Sequence, residues 1–174
     1  MEDRVLFWSL EYKIDLLILL LGRGMDFLST WVATPNLALE GNPLMKKAGW
    51  KLGGLINVAL VIVFSFSPSS SIMLCSTSLL VAGRNFQGAW LMRTMGEEGY
   101  REWFVGQMMQ TKKTLFLLCL GGQTFPVLLL GACLVYFSYG VLVPTCIGLG
   151  MIGYAIAILF FTILSIWRIR KLMA

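Results

Sequence analysis

The stretch IDLLILLLGRGMDFLSTWVA, residues 14–33, has the length and apolar content of a membrane-spanning helix, yet it carries Arg23 and Asp26 near its middle. A spanning helix needs about 20 mostly apolar residues. Each Arg or Asp at the centre of such a helix costs roughly 2.5–3.5 kcal/mol on insertion scales, so these side chains should face protein rather than lipid. The stretch therefore predicts a first span whose charged side packs against other helices.

The composition of the whole chain indicates an integral membrane protein. Of its 174 residues, 57% are hydrophobic and 13% are charged, with a mean hydropathy of +0.78. Soluble proteins are about 45–50% apolar and about 25% charged. The start of the chain lacks the basic segment and the cleavage site of a secretory signal, so we expect it to be retained.

Five segments reach spanning length, and they predict an all-α transmembrane bundle of about five spans that forms one integral membrane domain over residues 1–174. The spans are predicted at residues 14–33, 50–66, 72–92, 114–137 and 141–167. A six-span alternative remains open, in which residues 37–44 enter the membrane and return to the same side.

Basic residues predict the orientation of the bundle. The connections on one side hold two Lys or Arg residues, Arg4 and Lys13, whereas those on the other side hold ten. Because positively charged connections stay in the cytoplasm, we expect the N-terminus outside and the C-terminus inside. Four tryptophans support this orientation, since they all fall at predicted cytoplasmic helix ends, where Trp anchors spans: Trp31, Trp50, Trp90 and Trp167.

The connection between the third and fourth spans predicts an amphipathic helix on the cytoplasmic surface, over about residues 97–110. Its large apolar side chains recur at helical spacing, at Tyr100, Trp103, Phe104 and Met108. Glu97 and Arg101 are spaced i,i+4, which favours a salt bridge. Such a helix serves either as an anchor between spans or as a docking surface for a partner.

Polar side chains recur inside three of the predicted spans. On a 3.6-residue helix Asp15, Arg23, Asp26 and Thr30 fall within about 80° of one another. The predicted polar site combines the last three of these residues with others from the first three spans and the first cytoplasmic loop. Its members are Arg23, Asp26, Thr30, Glu40, Asn42, Asn57, Arg84, Asn85 and Gln87.

The charges of this predicted site do not balance. Arg23 and Arg84 face Asp26, which leaves one positive charge in excess unless Asp15 or Glu40 approaches. A buried cation requires an anion such as a carboxylate, a phosphate or a lipid headgroup. The alternatives are an internal network that pins the first and third spans, a ligand site, and a contact with a partner subunit.

Part of this site carries a family resemblance. The pattern D-x-x-[ST]-T…E-x-N-P is formed by Asp26, Ser29, Thr30, Glu40, Asn42 and Pro43. It resembles the pattern of an uncharacterised family of small multi-span prokaryotic membrane proteins, over about 20 residues. The resemblance implies that Asp26, Thr30, Glu40 and Asn42 lie together in a protein of a prokaryotic-type inner membrane, and it brings no activity with it.

Other motifs narrow the function classes. The chain has no histidine and no CxxC pair, so neither a metal site nor a cofactor is predicted, and no catalytic residue is assigned. GLGMIG at residues 148–153 formally matches a dinucleotide-binding motif, but inside an apolar span it indicates helix packing.

Three hypotheses for the function follow. The sequence favours a non-enzymatic accessory subunit or an oligomer. The alternatives are a small transporter or binder of an anionic or lipid-like ligand, and an enzyme that acts on a lipid with Asp26 and Glu40. The expected partners are the bilayer, an anionic small molecule or lipid headgroup, and other subunits or a second copy, with no role for nucleic acid.

Overall fold

The computed structural model describes residues 5–40, 43–138 and 140–172, and over these ranges it contains six helices and no strand. The helices are α1 (Leu10–Ala33), α2 (Pro43–Phe64), α3 (Pro68–Met95), α4 (Glu97–Gln110), α5 (Lys113–Phe137) and α6 (Leu142–Leu172). Four segments are long and apolar enough to cross a membrane: Leu10–Ala33, Met45–Phe64, Lys113–Phe137 and Leu142–Trp167. The chain is thus an all-helical protein of membrane-embedded character.

Serine residues fix the starts of two helices. The hydroxyl of Ser9 accepts a hydrogen bond from the backbone N–H of Tyr12 at 3.1 Å, and that of Ser67 accepts one from Ser70 at 3.4 Å. Such caps satisfy backbone donors that have no partner inside the helix. Pro68, at the first position of α3, has no N–H to satisfy.

Helix α3 lies at the centre of the bundle, between α1 and α6. At the α1 contact, a Cβ added to Gly22 would lie only 2.9 Å from the Cα of Cys75. At the α6 contact, a Cβ added to Gly150 would lie 2.6 Å from the carbonyl oxygen of Met73. Glycine at both contacts therefore lets the helix backbones touch, as small residues do between membrane helices.

The crossing of α5 and α6 also rests on glycine. A Cβ on Gly131 would lie 2.7 Å from the carbonyl oxygen of Gly148, and a Cβ on Gly148 would lie 2.6 Å from that of Gly131. The glycine-rich run of α6 thus packs against two neighbours, α5 through Gly148 and α3 through Gly150. The helices α1, α3, α6 and α5 follow one another across the bundle in that order.

Helix α2 sits at the edge of the bundle, against α1. Gly49 has non-helical dihedral angles, φ 69° and ψ −178°, and divides α2 into two helical pieces. The ring of Trp50 packs edge-on against Phe27 of α1 at 4.9 Å between centroids. At the other end Phe66, just beyond α2, contacts Tyr12 at 4.9 Å. Two aromatic contacts therefore hold α2 to α1.

Helix α4 follows α3 directly, after Gly96, whose φ of +72° suits glycine. The rings of Tyr100 and Phe104 stack with centroids 6.0 Å apart, and both side chains are half-buried. Met108, one turn further, is buried, whereas Trp103 is exposed. One side of α4 thus packs against the protein, and this helix contacts α3.

Candidate functional site

Arg23 is bound by groups from three helices. Its Nη1 donates to Asp26 Oδ2 at 2.8 Å and to Ser78 Oγ of α3 at 3.1 Å. Its Nε donates to Asn57 Oδ1 of α2 at 2.9 Å, and its Nη2 donates to the same oxygen. The guanidinium group therefore joins α1, α2 and α3, and Asp26 balances its charge. We call Arg23, Asp26, Asn57 and Ser78 the Arg23 cluster.

The position of Asn57 in α2 explains how it receives Arg23. Its Nδ2 donates to the carbonyl oxygen of Gly53, one turn earlier, at 2.9 Å. This bond points the amide oxygen away from the α2 backbone and toward Arg23. The half-buried amide of Asn57 thus uses both its oxygen and its nitrogen in hydrogen bonds.

A second layer of polar contacts lies one to two turns further along α1. The hydroxyls of Ser29 and Thr30 donate to the carbonyl oxygen of Asp26 at 2.8 and 3.0 Å. Asn85 of α3 donates through Nδ2 to both hydroxyl oxygens, at 3.2 and 3.3 Å. Ser29 is fully buried. The predicted residues Thr30 and Asn85 thus meet at the interface of α1 and α3.

Arg84 lies outside this arrangement. Among the residues that the structure describes, Asp26 forms its salt bridge with Arg23, and Arg84 forms none. Arg84 is half-buried, and its Nη1 is buried without a hydrogen-bond partner in the described part of the chain. The described salt bridge of Asp26 is with Arg23, and the described α3 residues that bond to α1 are Ser78 and Asn85.

Tyr100 of α4 lies within the electrostatic reach of Arg84. Burial raises the pKa of the Tyr100 hydroxyl, and the neighbouring positive charge of Arg84 opposes this rise without cancelling it. Arg84 and Tyr100 therefore lie on two helices that contact each other, α3 and α4. We call this place, with Arg84 and Tyr100, the Arg84 site.

An open side of α3 borders the Arg84 site. The predicted residue Gln87, one turn beyond Arg84, is exposed. Leu79, Gly83 and Trp90 are exposed as well, and their spacing places them on the same side of the helix as Gln87. A Cβ added to Gly83 would meet no atom within 4 Å. Arg84 therefore lies beside an exposed and mainly apolar surface of α3.

Glu40 ends the loop between α1 and α2. It is half-buried, and its backbone N–H donates to the carbonyl oxygen of Leu37 at 3.4 Å. Leu37 is buried and has a positive φ of 55°. Asn42, the other residue predicted in this loop, lies outside the described residues.

Glu97 is a polar residue of the site that sequence reasoning missed. Its carboxylate, at the start of α4, accepts hydrogen bonds from the hydroxyl of Thr34 at 2.6 Å and from the backbone N–H groups of Asn36 and Ala38 at 2.8 and 2.9 Å. The expected salt bridge with Arg101 is not formed. Since Glu97 is 63 residues away from Thr34, only its place at a helix start could have drawn attention to it.

The ionisation of Glu97 reflects these contacts. Burial favours the neutral acid and by itself raises the pKa. Hydrogen bonds from Thr34, Asn36 and Ala38 favour the carboxylate, and together they hold the pKa of Glu97 below its usual range. Glu97 is therefore a carboxylate at neutral pH.

Comparison with known proteins adds nothing to this geometry. No family model, no curated protein and no solved structure matches the chain. The family resemblance of the stretch from Asp26 to Pro43 thus remains a prediction, and the function has to be argued from the site itself.

Among the described residues no cluster of metal-binding side chains occurs. A cleft of about 140 Å³ lies beside Glu97, lined by Pro35, Asn36, Met92, Arg93, Gly96 and Glu97. An apolar groove of about 340 Å³ lies between α5 and α6.

Proposed function

We propose that the chain crosses the membrane five times, with α3 as the additional span and α4 on the cytoplasmic surface. Helix α3 has 28 residues, which corresponds to a length of about 42 Å, and it lies between α1 and α6, both of spanning length. Three of its polar side chains bond to neighbouring helices: Thr77 donates to the carbonyl oxygen of Gly150 in α6, and Ser78 and Asn85 bond to α1. Inward polar groups explain why α3 is less apolar than the other spans.

We propose, further, that this protein binds an anionic, lipid-like molecule at the Arg84 site. The observation that carries this proposal is the buried Nη1 of Arg84, which lacks a hydrogen-bond partner among the described residues. A buried charged donor without a partner is costly, and a phosphate or carboxylate oxygen would satisfy it. Asp26 is bound to Arg23, and Arg84 forms no salt bridge among the described residues.

The surroundings of Arg84 favour a lipid over a small soluble anion. Gln87 offers an amide one turn away, while Leu79 and Trp90 present apolar surface along the same side of α3. A lipid would place its headgroup against Arg84 and Gln87 and its chains along this surface. Trp90, near the end of α3, is suited to the interface between headgroups and chains.

The test is lipid binding by an Arg84→Ala variant. Protein in nanodiscs of neutral phosphatidylcholine is titrated with a fluorescent phosphatidylglycerol, and binding is followed by energy transfer from tryptophan. We expect at least about a tenfold loss of affinity, since a hydrogen bond to a charged group contributes about 1.5–3 kcal/mol. Inorganic phosphate, added to the same sample, distinguishes a free anion from a lipid.

Arg101→Ala is the matched control, because it removes the same charge from an exposed position of α4. Its affinity should stay within about twofold of the parent protein, as screened surface charges contribute little. Equal binding by the parent and by Arg84→Ala would overturn the proposal, and so would an equal loss in Arg101→Ala.

We also propose a second candidate function, as a subunit or self-associating protein, because α2 is weakly covered. Only 11% of the most apolar stretch of α2 is buried inside the protein, and the side chains of Leu55 and Val63 are exposed. A second copy or another subunit would cover this face. Native mass measurement after mild detergent extraction tests this: a monomer that carries only lipid would contradict it.

A further inference from the structure

Helix α4 carries two of the contacts described above on neighbouring turns. Glu97, in its first turn, is bound to the loop of residues 34–38. Tyr100, three residues later, is half-buried, and α4 contacts α3, the helix that carries Arg84. Residues three apart lie on the same side of a helix. The position of Tyr100 at the Arg84 site is therefore tied to the bonds of Glu97.

We infer that Glu97 is a latch that holds α4 over the Arg84 site and controls the entry of the anionic ligand. This inference rests on the proposed lipid binding at Arg84. The latch consists of the Glu97 carboxylate on one side, and on the other of Thr34 Oγ1 and the backbone N–H groups of Asn36 and Ala38.

The loop side of the latch is held in place by other contacts. Trp50 Nε1 donates to the carbonyl oxygen of Pro35 at 2.6 Å, and Lys46 Nζ donates to that of Ala38 at 2.9 Å. The hydroxyl oxygen of Thr34 also accepts from the backbone N–H of Leu39 at 3.2 Å. These bonds fix the loop whether or not Glu97 is bound, so α4 is the element that moves.

The ends of α4 permit this movement. Gly96 separates α4 from α3 and has a φ of +72°. Glycine adopts this conformation without strain and can also reach many others, whereas a residue with a side chain would be strained here. At the other end, Thr111 and Lys112 are extended and connect α4 to α5. Rotation at these two joints would lift Tyr100 from Arg84 without disturbing α3.

The cleft beside Glu97 shows where an opened latch would leave space. It contains Arg93, whose guanidinium group lies 5.7 Å from the ring centroid of Trp31. When Glu97 leaves the loop, its carboxylate can turn into this cleft toward Arg93. The open position of α4 thus has a charged partner of its own within the described chain.

The experiment compares Glu97→Ala with Glu98→Ala. Glu98 is the exposed neighbour with the same charge and the same helix turn, so it controls for charge and helix propensity. In nanodiscs without anionic lipid, we expect amide hydrogen exchange over residues 97–104 to rise about tenfold or more in Glu97→Ala, as roughly one hydrogen bond to a charge would predict. Exchange in α3 and in the Glu98→Ala control should stay unchanged.

The second measurement is the transfer rate of fluorescent phosphatidylglycerol between loaded nanodiscs and empty vesicles. We expect it to rise severalfold in Glu97→Ala and to stay unchanged in Glu98→Ala. Glu97→Gln, which keeps one acceptor oxygen in place, should fall between these variants, and it serves as the test variant if Glu97→Ala does not fold.

The outcomes separate the two proposals. Unchanged exchange in α4 of Glu97→Ala would overturn the latch, and this measurement requires no ligand. Increased exchange with unchanged lipid transfer would overturn its control over entry. Failure of Arg84→Ala to affect lipid affinity, by contrast, would remove the proposed function while leaving the exchange result in α4 as it stands.

Discussion

Arg23 lies within α1 and Arg84 within α3, but the contacts of the two guanidinium groups differ. Arg23 donates to Asp26, Asn57 and Ser78, so that every nitrogen of its guanidinium group has a partner. Arg84 has a buried Nη1 with no partner among the described residues. A charged group with complete contacts holds helices together, whereas one with an open donor is available to a ligand.

The difference also shows that charge counting alone does not identify a ligand site. The excess of one positive charge was visible from residue types, but which arginine carries it depends on hydrogen bonds from three helices. Substitution of Arg23 should therefore affect the stability of the bundle differently from substitution of Arg84.

The largest effect is expected for Arg23→Ala. It leaves the Asp26 carboxylate without its charged partner and removes the link between α1, α2 and α3. Breaking a buried pair by removing one partner costs about 3–5 kcal/mol. Because Arg23 and Asp26 are half-buried, we expect a loss in free energy of unfolding at the lower end of this range, about 3 kcal/mol, in a dodecyl sulfate titration.

A double variant, Arg23→Met with Asp26→Leu, is the control for this prediction. It removes both charges, so it should recover most of the lost free energy of unfolding. If Arg23→Ala unfolds like the parent protein, the Arg23 cluster does not stabilise the bundle.

A smaller effect is expected for Asn57→Ala. This change removes the acceptor of two Arg23 donors, and we expect a loss of about 1–3 kcal/mol in the same titration. Asn85→Ala is the comparison, because its bonds to Ser29 and Thr30 are longer, at 3.2 and 3.3 Å, and involve no charge. A greater loss of stability for Asn85→Ala than for Asn57→Ala would show that the contacts of Asn85 contribute more to stability than those of the Arg23 cluster.

Arg84→Met should have a smaller effect on stability, and one of opposite sign. Removing a buried donor that has no partner is neutral or stabilising, so we expect a change from zero to about 1 kcal/mol in favour of the folded state. The measurement is made in detergent without anionic lipid. A loss as large as that of Arg23→Ala would show that Arg84 has a structural role instead.

The smallest effect concerns the acid form of Glu97. Because hydrogen bonds outweigh burial and lower its folded pKa, the contribution of the latch to stability is complete above the ordinary glutamate pKa of about 4.3 and is lost as the pH falls through the lower folded value. Hydrogen exchange of α4, corrected for its intrinsic pH dependence, should therefore be constant from about pH 7 to 5. Loss of protection within that interval would contradict the assignment.

The parts of the site that were predictable from the sequence are those set by one helix. The salt bridge of Arg23 with Asp26 follows from their i,i+3 spacing. The presence of long apolar helices follows from hydropathy, and four of them are of spanning length. Such features depend on the helical repeat and need no knowledge of neighbouring helices.

The parts that were not predictable depend on how helices rotate against each other. Arg84 and Asn85 are consecutive, so their side chains point about 100° apart. When Asn85 faces α1, Arg84 must face elsewhere, and periodicity within α3 cannot select between the two. Glu97 is a further example, because its partners lie in a loop 63 residues earlier and its nearest opposite charge in the helix, Arg101, is not one of them.

The separation between Glu97 and its loop also has a consequence for synthesis. The 63 residues between Thr34 and Glu97 take roughly 3 to 13 s to translate at about 5–20 residues per second. Throughout this interval the N–H groups of Asn36 and Ala38 have no Glu97 carboxylate to bind and are bonded to water. Once Glu97 has been synthesised, its carboxylate can bind these N–H groups. The bonds between the loop and α4 therefore form only after α1, α2 and α3 have been made.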